Sequence, residues 1–133
     1  MSAGSPSASP FNIAYTQADY GLRAHVTGTN GTLETTLAYW RDIAGEVRRL
    51  RPSAVLVVDD MDGEPPPPEE LLTFVLLMKG EGMEDVHIAY VERDTLQIPQ
   101  IELAGLMAYE HGFNARIFDS EAAAVAWLRY GER

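Results

Sequence analysis

Six residues between a hydrophobic run and a proline run carry the chain's densest chemistry: Asp59-Asp60-Met61-Asp62-Gly63-Glu64, followed by Pro65 to Pro68. Clustered carboxylates ligate hard divalent cations or move protons. A calcium loop with oxygen ligands at alternate positions needs glycine at its sixth place, and counting from Asp60 that place is Pro65. Asp59, Asp60 and Asp62 offer oxygens for loose magnesium binding. The simpler reading is a solvated acidic turn whose charges face the positive end of the helix that follows. His25, His87 and His111 share no metal-ligand spacing, and no nearby serine shows a nucleophile-elbow pattern, so structural roles are expected for all three. Gly80-Glu81-Gly82-Met83 lacks the third glycine and the helix start of a phosphate-binding fingerprint and reads as a helix stop. No catalytic, cofactor or metal set is assigned from these residues.

The elements that position the acidic stretch follow from hydrophobic period. Phe11, Ile13 and Tyr15 alternate with polar residues, as do Leu22, Ala24 and Val26 after a break at Asp19-Tyr20-Gly21. That pattern predicts an antiparallel hairpin, half buried on one face. Leu33, Leu37, Trp40, Ala44, Val47 and Leu50 then trace one stripe of an amphipathic helix, with Thr32 as its N-cap. Arg48, Arg49 and Arg51 complement the negative end of that helix. Pro52 stops it, and Ser53 to Val58 reads as a strand buried on both faces. After the acidic turn comes an apolar helix through Met78, with Pro68, Glu69 and Glu70 in its first turn. Val86 to Val91 is a second buried strand, and a third helix runs from near Pro99 to about His111, with Gly112 as its stop. Ala115 to Phe118 is a last strand, and Ser120 caps a final helix carrying Ala124, Trp127 and Leu128. Strands alternating with helices imply an α/β fold: about five strands in a mixed sheet, an antiparallel hairpin leading into largely parallel strands, with four helices.

Composition narrows the function classes. A chain of 133 residues fits one domain with a substantial core, here taken as residues 11–133. It has no cysteine, which removes disulfides and thiolate chemistry and suits a cytoplasmic setting. Met1 to Pro10 is Ser, Ala, Gly and Pro without a basic or apolar segment, and reads as a disordered tail rather than a signal peptide. No apolar run, Phe74 to Met78 included, approaches the length of a membrane span. With net charge −10 and Lys79 as the single lysine, the field of the molecule opposes nucleic acid and anionic membranes.

Two family resemblances follow from these residues. The hairpin opening, the Ala54 to Val58 strand turning into a helix, and the ending Ala115-Arg116-Ile117-Phe118-Asp119-Ser120 leading to Ala126-Trp127-Leu128 resemble the SpoIIAA-like, or STAS, superfamily. The resemblance covers the chain from Phe11 and implies a small non-enzymatic domain that binds a partner protein. Its well-known members are switched by phosphorylation of a Ser or Thr at the N-terminus of the helix after the central strand. Here the matching stretch, Asp59 to Glu70, contains neither residue, and the first hydroxyl downstream is Thr73, inside the helix. Separately, Asp60-Met61-Asp62-Gly63 after a hydrophobic strand resembles the nucleophile motif of haloacid-dehalogenase-type phosphatases, which implies a metal-dependent enzyme using Asp60 and Asp62. The next motif position, a Thr or Val in that family, is Glu64 here, and the proline run follows directly.

The apolar helix is the remaining feature. Leu71, Leu72, Phe74, Val75, Leu76, Leu77 and Met78 surround it, and a helix apolar all round is buried on more than one face. The leading expectation is a non-catalytic binding or regulatory domain whose partner surface is Leu71, Leu72, Val75, Leu76 and Met78. Its partner is a protein, most simply a second copy of the chain as a homodimer. The alternative is that the helix walls a pocket, making the chain a carrier or sensor of an apolar small molecule or lipid.

Overall fold

The structure, a computed structural model, describes residues 10–131. Nine of the ten residues read above as a disordered tail lie outside the described residues, as do Glu132 and Arg133. Phe11–Ala18 (β1) and Gly21–Thr29 (β2) form the antiparallel hairpin. Gly21 turns it at φ +139°, where a Cβ would sit 2.2 Å from the carbonyl oxygen of Ala54, so glycine is required. The chain continues through Leu33–Leu50 (α1), Ala54–Asp62 (β3), Pro68–Leu77 (α2) and His87–Glu92 (β4). A 3-10 turn at Thr95–Gln97 leads into Ile98–Glu110 (α3), then Asn114–Phe118 (β5) and Glu121–Tyr130 (α4).

The five strands lie in chain order across one mixed sheet, β1 antiparallel to β2 and the rest parallel, with four α-helices. This is the α/β layout that the hydrophobic periods predict. Right-handed crossovers that advance in one direction place successive helices on one face of the sheet. Accordingly α1, α2 and α3 share a core with Leu22, Ala24, Val26, Val55, Val57, Ile88 and Tyr90. The opposite face is covered by α4 alone, where Ala124, Trp127 and Leu128 pack on Ala54, Leu56, Val58, Ala89 and Val91. Among the described residues no helix is long and apolar enough to cross a membrane.

Helix starts follow local chemistry. Thr32 Oγ1 accepts from the Thr35 amide at 3.1 Å, and Ser120 Oγ from that of Ala123 at 3.2 Å. The buried stripe of α1 is Thr36, Tyr39, Trp40, Ile43, Ala44 and Val47, wider than the predicted one, while Leu33, Leu37 and Leu50 are only partly buried. The difference arises because α1 also meets α2, with Trp40 and Phe74 ring centroids 6.0 Å apart.

One boundary corrects the sequence reading. Asp59, Asp60 and Asp62 are not in a turn; they belong to β3, which runs to Asp62. The long β2 strand extends the ladder, since Val26, Thr27, Gly28 and Thr29 pair with Asp59, Asp60, Met61 and Asp62. The turn proper begins at Gly63. Its φ is +95°, and a Cβ there would lie 2.1 Å from the Asn30 carbonyl oxygen.

Candidate functional site

Strand alternation separates the acids that stand together in the sequence. Asp59 and Met61 face the α1–α2–α3 side and line a cavity there, whereas Asp60 and Asp62 are exposed. Asp60 belongs to a surface charge network, with His25 Nε2 at 2.6 Å and Arg93 Nε at 3.9 Å. Arg93 also approaches Glu121 at 3.7 Å, and Arg23 grips the same carboxylate with two bonds of 2.7 and 3.0 Å. Of the other histidines, His87 sits edge-on to Trp127 at 6.3 Å and His111 caps the C-terminus of α3. Among the described residues, no three His, Cys, Asp or Glu side chains group so as to hold a metal ion.

The cavity lies beneath α2 and α3, over the carboxyl ends of β3 and β4, where open α/β sheets place their ligands. Leu71 and Val75 from α2 with Met78 at its C-cap, Ile101 from α3, and Tyr39 and Trp40 from α1 form its apolar walls. Gly63, Pro65 and Pro66 bring the loop after β3 to it, and that loop is tied to the start of α3. Gln97 Nε2 donates to the Gly63 carbonyl at 2.9 Å, and Gln100 Nε2 to that of Pro66 at 2.5 Å. Small residues leave the space unfilled: beyond Ile101, α3 presents only Ala104, Gly105 and Ala108 to it. At Gly105 the helix comes so close to β5 that a Cβ would lie 3.2 Å from Ile117 Cγ1. The cavity has a volume of about 100 Å³. Cavities of this order accept a single ring, so a short ligand fits better than a full lipid tail.

The polar end of the cavity is built from two strand ends. Asp59 and Glu92 pair across the β3–β4 ladder, only 6 % and 3 % exposed. Asp59 Oδ1 accepts from the Met61 amide at 2.9 Å, and Oδ2 accepts from the Tyr90 hydroxyl. Glu92 Oε2 accepts from the Asp94 amide at 3.1 Å. Burial raises the Asp59 carboxyl above its ordinary range, against the lowering effect of its two hydrogen bonds. Glu92 is pushed up to about 7, by burial first and then by the charge of Asp59. Burial likewise raises the hydroxyls of Tyr39 and Tyr90, which therefore remain protonated donors. A carboxyl in that range can take up or release a proton near neutral pH. Trp40 stacks on Tyr90 with centroids 6.0 Å apart and planes 18° from parallel, which gives the acidic end an aromatic wall.

The surface expected from α2 divides in two. Leu71, Val75 and Met78, read as partner-facing, are instead buried in the chain's own core: spacing at i, i+4 and i+7 puts them on one stripe, and the packing of α2 on α1, α3 and the sheet turns that stripe inward. Leu72 and Leu76 lie on the outer stripe with Leu77, and Leu76 is 45 % exposed. Glu92 escaped the sequence reading as a site residue. The available signal was that each buried parallel run, Val55 to Val58 and Ile88 to Val91, ends directly in an acid. No protein-family model matches the chain, and a search of curated proteins found no match.

Proposed function

We propose that this chain is a non-catalytic binding domain, of the SpoIIAA-like kind, that carries or senses a compact, largely apolar small molecule. The cavity carries this reading: apolar walls from three helices and the sheet meet a few convergent polar groups at Asp59, Tyr90 and Glu92. Such a combination is the usual form of a ligand site. Filling the space tests it. Ala104→Leu places three more carbons against the cavity, so the variant should gain thermal stability and lose any small molecule seen by native mass spectrometry on the purified wild-type chain. Equal retention of that molecule by the variant would remove the reading.

A second reading rests on a different observation, the exposed leucines of α2 (Leu72, Leu76, Leu77) and of α3 (Leu103, Leu106). Apolar surface of this kind suits a protein partner, most simply a second copy of the chain. On this reading Leu76→Glu shifts sedimentation from dimer to monomer. A wild-type chain that sediments as a monomer at high concentration would remove the self-association version.

A further inference from the structure

Resting on the pocket reading above, we propose that the ligand carries a protonated amine, a compact apolar ammonium ion whose charged end sits at Glu92 and Asp59. The lining contains these two acids and no lysine, arginine or histidine among the described residues. The nearby basic side chains are held elsewhere: His25 and Arg93 at Asp60, and Arg23 at Glu121. Asp59 already receives two donors, but no donor among the described residues reaches Glu92 Oε1, although Glu92 is only 3 % exposed and lines the cavity. An ammonium group has three N–H donors and no acceptor, which matches acceptors left open in this way. The aromatic wall of Tyr39, Trp40, Phe74 and Tyr90 adds ring faces that attract a cation.

Other ligand classes fit worse. A carboxylate or phosphate would meet the two acids in a protein of net charge −10. A neutral ligand would leave the acids buried without a counter-charge, so they would have to hold protons instead. A bound cation favours the ionised form of Glu92, so its arrival near neutral pH displaces a proton to solvent. The groups facing Glu92 in this equilibrium are Asp59, Asp94 and the hydroxyls of Tyr39 and Tyr90, and the charge of Asp60 acts on it from the neighbouring strand.

Calorimetric titration of the full chain with three probes of one shape, 2-phenylethylamine, 2-phenylethanol and phenylacetate, separates the possibilities. The expected result is amine binding at least about tenfold tighter than alcohol, no detectable phenylacetate binding, and heats that differ between buffers through proton release. Glu92→Gln, nearly isosteric, should remove about tenfold of the amine affinity and leave the alcohol within about twofold; Asp59→Asn is the second variant. An alcohol that binds as tightly as the amine overturns the ammonium inference while the pocket reading stands. If none of the three binds at millimolar concentration, the pocket reading falls and the inference falls with it.

Discussion

A carboxyl buried beside another carboxyl ionises at a cost, and at Glu92 that cost falls in the physiological range. Its value is raised from 4.5 to about 7, so the folded state holds this proton more tightly than the unfolded chain does. The resulting stability is fully present below about pH 4.5 and is lost as pH rises through about 7. Glu92→Gln removes the titration. It should therefore melt several degrees above wild type at pH 8, from a gain on the order of 2 kcal/mol, and close to wild type at pH 4.5. Melting curves across pH check this, and a difference that does not change with pH would contradict it. Tyr90→Phe takes a donor from buried Asp59 and should lower stability by about 1–3 kcal/mol in urea denaturation at neutral pH. Asp59, Asp60 and Asp62 were legible in the sequence, but their division between the two faces was not. A side chain's face depends on where its strand ends, and β3 ends at Asp62 because β2 is long enough to pair with it.

At the scale of elements, α2 decides between a core helix and a docking helix. Leu71 and Leu72 are neighbours in sequence on opposite sides of that boundary, one lining the cavity and the other on the outer stripe. Leu71→Ala should cost about 2–5 kcal/mol, whereas Leu72→Ala should stay within about 1 kcal/mol, both read by denaturant unfolding. Equal costs would mean that the helix is rotated from the orientation described. The ends of α1 and α4 were readable from Thr32 and Ser120, since a hydroxyl accepting from the first-turn amides is a local signal. The orientation of α2 was not readable, because Leu, Phe, Val and Met nearly surround it and leave no polar stripe to mark the outside. Only the contacts with α1, α3 and the sheet select the inward stripe of Leu71, Val75 and Met78.

For the whole molecule, the order of strands and helices followed from periods of two and 3.6, which any short window of the chain displays. The cavity has no such signature. It exists because Ala104, Gly105 and Ala108 reach α3's inner face just where the ends of β3 and β4 place Asp59 and Glu92, residues far apart in the chain. On the proposed reading, this interior space, rather than the outer leucines, is where the protein meets its ligand. Methyl-resolved NMR of the chain titrated with 2-phenylethylamine tests it most directly. Shifts concentrated at Leu71, Val75, Met78 and Ile101, and abolished in Ala104→Leu, are the predicted result. Shifts confined to Leu72, Leu76 and Leu77, with the interior methyls unmoved, would contradict it.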